Sequence, residues 1–292
     1  PSDVRRVLEL RQQLGKTSNT KYETIAASAG PDHRVRGTLQ FYGASRTGRW
    51  AGRLLQVQNL PRTYLDHQAE WRDIVKLHDP EALALLTDNV SDTLSQLIRT
   101  ALVPAKGYTF VDADFSAIEA RLIAWLAGEE WVLDVFRTTG KIYEATAARI
   151  FGVPFDSIAK GNPNYKYRQR GKVATLALGY QGGVGAMKRM GSDQLGLDDE
   201  GLQDIVNRWR RQNPRICKLW RRMQDAAVHT IRTGKTTQPR AGVIFRKELA
   251  PDFPFPFLTL QLPSGRKLFY ADPGTTPDDR ITYKEWDNGG WG

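Results

Sequence analysis

Two carboxylates follow a short run of residues that is typical of a β-strand. Residues 108–111 are aromatic or β-branched and come directly after a glycine, which predicts a strand. Because side chains alternate along a strand, Asp112 and Asp114 are expected on the same face as Phe110. A carboxylate at the end of a buried strand is well placed to hold a divalent metal ion. A turn-forming aspartate is the other interpretation of Asp114, and the residue types leave both open.

A helix is predicted directly after these carboxylates. Ser116 has the chemistry of an N-cap, and Glu119 stands three residues later, as in a capping box. Gly128 suits the C-terminal end of the helix. One face of the helix is expected to be apolar and consists of Ile118, Leu122, Ile123 and Leu126.

A second predicted helix carries a row of side chains that could hold a nucleotide. Asn162 is its expected N-cap and Pro163 its first residue. Four side chains recur at intervals of four residues: Arg168, Lys172, Leu176 and Tyr180. Each step turns by about 40° and rises ~6 Å, so the row is about 18 Å long. This order suits a triphosphate at one end and a base and sugar at the other, although cations four residues apart are also common on solvated helices.

Glycines interrupt this helix at two positions. Gly171 and Gly179 both weaken a helix, so they predict a close approach by another group or a mobile element.

The segment 34–62 is rich in arginine and glycine and contains short β-like runs. Its arginines are Arg34, Arg36, Arg46, Arg49, Arg53 and Arg62. Guanidinium groups and backbone amides of this kind can follow a phosphodiester chain. An ordinary polar hairpin is the other interpretation, and the charge of the whole chain favours contact with nucleic acid.

Composition limits the class of protein. The 292 residues carry a net charge of +10, which favours a polyanion as partner. No apolar run approaches the ~20 residues of a membrane span, so no membrane partner is expected. Cys217 is the only cysteine, which excludes an internal disulfide and fits a cytoplasmic location. The four histidines are scattered and show no zinc-like pairing.

Helical patterns dominate up to about residue 235. Helices are expected within 1–25, 64–103, 141–152 and 202–232, with Pro214 separating two helices in the last of these. The remaining residues are rich in proline and glycine with short apolar runs. The fold class predicted is α+β.

Three motifs together resemble the family A DNA polymerases, particularly their phage-encoded branch. DFSAIEAR (114–121) is similar to the first palm motif, and RQRGKVATLALGY (168–180) is similar to the fingers-helix motif. RTGRWAGRLLQVQNLP (46–61) resembles the primer-template segment. The motifs occur in the order of the family, and the resemblance covers nearly the whole chain.

The resemblance implies a right-hand polymerase fold with an incomplete palm sheet. The expected parts are the end of the thumb (1–25), the first part of the palm (26–140) and the fingers (141–235). A connection from the fingers to the palm follows (236–292), cut inside the palm.

The resemblance also implies template-directed DNA synthesis with two Mg²⁺ ions. Asp114 and the carbonyl of Phe115 would bind the metal ions, and Arg168 and Lys172 would act on the incoming deoxynucleoside triphosphate. The four other residues expected to bind the nucleotide are Glu119, Tyr143, Leu176 and Tyr180. The residues expected to contact primer-template DNA are Arg46, Arg49, Arg53, Gln58 and Asn59.

The sequence departs from the family pattern at several places. Asp112 has no counterpart, Tyr143 stands where many members have His, and Leu176 stands where Phe or Tyr is usual. The later palm motif, His-Asp-Glu, does not follow Tyr180, and no exonuclease domain precedes the thumb segment. A second polypeptide carrying the rest of the palm is therefore expected.

Two other functions stay open at this point. One is a relative of the single-subunit RNA polymerases, against which Glu119 argues, because in the DNA enzymes this Glu blocks the ribose 2′-hydroxyl. The other is a non-catalytic nucleic-acid-binding remnant.

Overall fold

The chain folds into α-helices and antiparallel sheets in two units, Pro1–Asp112 and Ala113–Gly292. In this computed structural model the described residues are 2–14, 18–44, 47–192, 196–240, 242–287 and 290–291. No helix within these residues is both long and apolar enough to cross a membrane. The thumb, palm and fingers boundaries at residues 25, 140 and 235 stay predictions.

The first unit consists of short helices around one β-hairpin. Its elements are α1 (Ser2–Leu14), α2 (Thr20–Ser28), β1 (Leu39–Ala44), β2 (Arg49–Gly52), a 3₁₀ helix (Val57–Asn59), α3 (Gln68–Lys76), α4 (Pro80–Leu86), α5 (Val90–Leu97) and a second 3₁₀ helix (Ile98–Ala101). These helices confirm those expected within 1–25 and 64–103, and the antiparallel hairpin confirms the short β-like runs expected in 34–62. Contact of this segment with nucleic acid stays a prediction.

A small core holds the segment after the hairpin in place. Leu55, Leu60 and Ile98 are buried together, and Tyr22 of α2 packs against them. Lys21 donates to the carbonyl of Leu55 at 2.8 Å. These contacts fix the backbone that follows β2, because both its apolar and its polar groups have partners in α2 and the second 3₁₀ helix.

The second unit begins with seven α-helices and two short 3₁₀ helices among its described residues. These are α6 (Ile118–Ala127), α7 (Glu130–Thr138), α8 (Ile142–Phe151), 3₁₀ helices at Phe155–Ser157 and Pro163–Tyr165, α9 (Lys166–Leu178), α10 (Val184–Arg189), α11 (Asp199–Gln212) and α12 (Pro214–Thr233). Gly128 and Gly152 end α6 and α8 with φ of 69° and 66°, a conformation that favours glycine. Pro214 begins α12, so the predicted division between two helices is confirmed.

A buried carboxylate ties the end of α6 to the start of α12. The Glu129 side chain accepts hydrogen bonds from the backbone amides of Arg215 at 2.9 Å and Ile216 at 3.3 Å. Glu129 is 5% exposed, and the free amides of a helix N-terminus stabilise a negative side chain there. This contact therefore fixes the direction in which α12 leaves the α6–α7 turn.

Helices α8 and α9 approach each other closely at Gly171. A Cβ on Gly171 would lie 2.1 Å from the carbonyl oxygen of Tyr143 and 2.9 Å from the Cβ of Ala147. One turn further along α9, the hydroxyl of Thr175 bonds that of Thr146 at 3.2 Å. The close approach predicted from Gly171 is confirmed, and the approaching group is the backbone of α8.

The main core of the second unit lies beside this helix pair. Its buried side chains come from α8 to α12 and are Ile150, Val173, Ala174, Ala177, Leu178, Met187, Leu202, Ile205, Val206, Trp209 and Ile216. This core packs against the side of α9 opposite Arg168, Lys172 and Leu176.

A five-stranded antiparallel sheet follows α12. Its strands, in sheet order, are β3 (Thr237–Arg240), β4 (Val243–Leu249), β5 (Pro256–Gln261), β6 (Lys267–Thr275) and β7 (Ile281–Lys284), and a hairpin of β8 (Trp286–Asp287) and β9 (Gly290–Trp291) comes after it. The sheet packs on α12 through Ala227, Ile231, Phe245 and Leu258. From the sequence only short apolar runs are expected here, although the alternating burial of β4 is a strand pattern.

The strand predicted at 108–111 is wrong. These residues have no regular secondary structure, and Tyr108 and Phe110 are 78% and 64% exposed. A strand needs a neighbour for its backbone hydrogen bonds, and within the described residues every strand pairs elsewhere. The predicted cap is also wrong, because α6 begins after Ala117 in a left-handed conformation, with no side-chain cap.

We expect Gly171→Ala to destabilise the chain by about 1–3 kcal/mol, because the new methyl group has no space against the α8 backbone. The measurement is thermal unfolding followed by circular dichroism. The matched control is Gly185→Ala in α10, where the new Cβ meets only a side-chain atom at 3.9 Å. An alanine there should be neutral or stabilise by up to about 1 kcal/mol. Equal melting temperatures for the two variants would contradict this account.

Candidate functional site

The residues just before α9 explain where this helix begins. The Asn162 side chain accepts a hydrogen bond from the amide of Asn164 at 2.9 Å, and Pro163 opens the 3₁₀ turn that leads into the helix. The predicted cap is confirmed. Since α9 runs from Lys166 to Leu178, Arg168, Lys172 and Leu176 form one slanting row, as the spacing predicted.

Arg168 is held from the side by the neighbouring helix. Its Nε donates to Oε1 of Glu144, in the first turn of α8, at 2.7 Å. The Tyr143 ring lies beside the same guanidinium, with 5.7 Å between its centroid and Cζ. The hydrogen bond to Glu144 raises the pKa of Arg168 above its ordinary value, while burial acts in the opposite direction.

Glu144 was not identified from the sequence. The sequence signal for Glu144 is weak. An acidic residue in a first helical turn is common, and Arg168 lies 24 positions further along the chain.

A pocket of about 160 Å³ lies between α6 and α9. Its lining includes Glu119 from α6 and Leu176 from α9, and Tyr180 lies just beyond the end of α9. The structure thus brings together three of the four residues that were predicted to bind the nucleotide. Tyr180 is 70% exposed, so its ring is open to a ligand. The remaining walls are apolar or small, including Ala120, Ile123, Thr175 and Met190.

Asp114 and Phe115 lie in the irregular segment before α6. Both are exposed, and neither is among the described lining residues of this pocket. Within the described residues, no group of three or more His, Cys, Asp or Glu side chains is arranged to hold a metal ion. Asp114 and the Phe115 carbonyl would supply two ligand oxygens, whereas Mg²⁺ takes about six.

Of the predicted DNA-contact residues, Arg49 lies in β2, and Arg53, Gln58 and Asn59 follow it in the chain. The Gln58 amide covers Gly52, where a Cβ would lie 2.2 Å from Nε2. Arg53 donates to the side chain of Gln40, and Asn59 donates to Gln56 at 2.9 Å. Arg49 is the first residue of β2. Arg46 lies outside the described residues.

A larger, apolar groove of about 630 Å³ lies between α6, α12 and the sheet. Ile123 and Leu126 of α6, Met223 of α12 and Leu260 of β5 are among its walls. Its few polar side chains are Gln181, Gln224, Arg240 and Arg280.

A sequence model of DNA polymerase family A matches residues 3–244. The chain belongs to this family, which confirms the resemblance found in the motifs. Family A polymerases are DNA-directed DNA nucleotidyltransferases that use divalent metal ions, generally Mg²⁺.

Relatives show how much of a polymerase these residues correspond to. The DNA polymerase of Bacillus phage SP02 is 50% identical over 295 residues, which cover 99% of this chain and 44% of that protein. DNA polymerase I of Thermus thermophilus is 26% identical over 217 residues, or 74% of this chain and 21% of that protein. The chain therefore spans less than half the length of either relative.

A solved structure shows the same fold. The POL domain of Pol1 from M. smegmatis, in complex with DNA primer-template and dNTP, matches with a TM-score of 0.51 and 19% identity. The match covers 80% of this chain and 32% of that one. The predicted α+β polymerase fold is confirmed.

Proposed function

We propose that this chain carries the nucleotide and primer-template sites of a DNA-directed DNA polymerase. The observation that carries the proposal is the pocket between α6 and α9, where Glu119, Leu176 and Tyr180 meet. Arg168 and Lys172 continue the row of Leu176 toward the start of α9. Family membership supports DNA synthesis as the activity of the complete polymerase.

Arg168 and Lys172 would bind the triphosphate of the incoming nucleotide. They stand one helical turn apart, a rise of ~6 Å, which suits successive phosphates. The guanidinium group offers planar, directional donors, whereas the ammonium group acts as a compact point charge. Tyr143, beside Arg168, would contact the same triphosphate.

The other end of the row would cover the base and sugar. Tyr180 offers an exposed ring for stacking near the templating position, and Leu176 offers an apolar contact. Glu119 stands in the pocket wall where the sugar would lie, so its carboxylate would exclude a ribose 2′-hydroxyl.

Asp114 and the Phe115 carbonyl would bind the two Mg²⁺ ions of nucleotidyl transfer. When bound, such ions activate the primer 3′-hydroxyl and neutralise charge on the leaving pyrophosphate. The further ligands would come from substrate phosphates, water and polypeptide outside these 292 residues.

In the first unit, Arg49, Arg53, Gln58, Asn59 and, outside the described residues, Arg46 would contact the primer-template. Their guanidinium and amide groups are suited to phosphate and sugar atoms, which position DNA without reading its sequence.

Polypeptide beyond this sequence would complete the palm, as a second chain or as further residues of the same one. The apolar groove supports this proposal, since groups such as Leu260 and Met223 are stabilised when another apolar surface covers them. The phage relative, more than twice as long as the matched region, is in accord with it. The cytoplasmic location stays a prediction.

The first test replaces Asp114. We expect Asp114→Asn to abolish primer extension by the complete polymerase and to leave DNA affinity nearly unchanged, because one negative metal-binding oxygen is lost. Single-turnover extension and equilibrium DNA binding measure the two effects. The matched control is Asp112→Asn, two residues away in the same irregular segment, which should retain activity. An Asp114→Asn enzyme with a tenth or more of the wild-type rate would contradict the assignment.

The second test replaces Glu119. We expect Glu119→Ala to raise kcat/KM for ribonucleotides relative to deoxynucleotides by about 100-fold or more, because the pocket wall loses its block at the sugar. Stability should change by about 1 kcal/mol or less, which is the usual contribution of an acidic side chain in the first turn of a helix such as α6. Unchanged sugar selection together with a lower melting temperature would identify Glu119 as a purely structural residue.

The third test concerns the polypeptide that completes the palm. We expect the 292 residues alone to bind primer-template weakly and in a salt-dependent manner, and to incorporate no nucleotide. Adding a polypeptide that carries the His-Asp-Glu motif should restore synthesis. The same addition to the Asp114→Asn chain is the control and should restore none. Extension at an ordinary rate by the 292 residues alone would refute the need for additional polypeptide, and DNA binding without rescue would indicate a non-catalytic remnant.

A further inference from the structure

We propose that Glu144 is a positioning residue, which holds the Arg168 guanidinium so that its two terminal nitrogens face the incoming triphosphate. The inference rests on the proposed function, in which Arg168 binds that triphosphate. It adds a residue that the motifs do not contain.

Glu144 contacts one edge of the Arg168 guanidinium group, at Nε. Glu144 engages Nε of Arg168 at 2.7 Å, and Nε is the donor closest to the side-chain stem. Because the guanidinium group is planar and its donors form a fixed fork, fixing Nε also fixes the direction of the two terminal nitrogens. The contact therefore orients the group without occupying all its donors.

The two side chains of the ion pair differ in their exposure to solvent. The Glu144 side chain is 13% exposed, whereas that of Arg168 is 34% exposed. The carboxylate is thus enclosed by protein and the cation is open on its far side. An ion pair with this difference in exposure presents its cation to whatever approaches from solvent.

Glu144 itself has little freedom to follow Arg168. It lies in the first turn of α8, where the helix N-terminus stabilises a negative side chain. The close approach at Gly171 fixes the spacing of α8 and α9 one residue before Glu144 on α8. The Thr175–Thr146 hydrogen bond fixes it again two residues after Glu144. The carboxylate is therefore a rigid reference point for the arginine.

Two effects of Glu144 on triphosphate binding have opposite signs. Its charge neutralises Arg168 and competes with phosphate, so removing it would tighten binding if charge dominated. Its hydrogen bond orders a long, flexible side chain before the ligand arrives, so removing it would weaken binding if orientation dominated. Because the contact leaves the terminal nitrogens available, we expect orientation to dominate.

The experiment is a double-mutant cycle in the complete polymerase with a correct deoxynucleotide. We expect Arg168→Ala to lower kcat/KM by about 100-fold and Glu144→Ala by about 10-fold, the latter mainly through a higher KM. The double variant should be no worse than Arg168→Ala, because Glu144 acts only through Arg168. Glu144→Gln, which keeps the shape and an acceptor oxygen, should lose less than Glu144→Ala.

The matched control is Glu248→Ala. Glu248 of β4 pairs with Lys267 of β6 at 2.8 Å, with side chains 32% and 33% exposed, and lies on neither α8 nor α9. This variant should keep the wild-type KM, while thermal unfolding of every variant reports any loss of stability.

Each other outcome overturns a defined part of the proposal. An unchanged or lower KM in Glu144→Ala, or losses that multiply in the double variant, overturns the positioning role while Arg168→Ala remains impaired. Should Glu144→Ala fail to fold, Glu144→Leu, which fills the space but offers no acceptor oxygen, replaces it, and a KM at or below wild type has the same meaning. A fully active Arg168→Ala overturns the proposed function at this residue and the inference with it.

Discussion

The close approach of α8 and α9 at Gly171 is the constraint on which the proposed nucleotide site depends. Only a residue without Cβ fits against the Tyr143 carbonyl, so the two helix backbones lie nearer than side chains would otherwise permit. That distance brings Glu144 within hydrogen-bond reach of Arg168 and sets the Tyr143 ring beside the same cation. The core packed on the other side of α9 then leaves its functional row facing outward.

The charges along α9 are consequently not equivalent. Arg168 is paired with the Glu144 carboxylate, which offsets its positive charge. Its main contribution is therefore the fixed orientation of its guanidinium group. Lys172, one turn later, contributes a flexible point charge. Glu119 adds a negative group in the wall of the apolar pocket near Leu176. On the proposed function, a ligand that is polyanionic at one end and aromatic at the other would fit this arrangement of charges.

Most features that depend on a few neighbouring residues were predicted correctly. The Asn162 cap, the glycine ends of α6 and α8 and the break at Pro214 were confirmed. The capping box at Ser116 and Glu119 is the exception, because α6 begins after Ala117 with no side-chain cap. The β3–β7 sheet joins strands that follow one another in the chain, and its short apolar runs were too weak a signal to predict it. The Glu144–Arg168 pair depends on a partner 24 positions away and was not predicted. The strand at 108–111 was wrong for the same reason, since β-type residues form a strand only when another strand is adjacent.

The segment before Asp114 is exposed and irregular, and its conformation determines where the proposed metal-binding carboxylate lies. Tyr108 and Phe110 have the composition of a buried strand but lie in water, and the groove beside α6 is also apolar and open. Covering the two aromatic side chains would release water from apolar surface, which is a favourable step. On the proposed function, the same step would order the backbone that carries Asp114. The metal-binding carboxylate would then be positioned only when the palm is complete, whereas the nucleotide row on α9 is formed by contacts within the second unit alone.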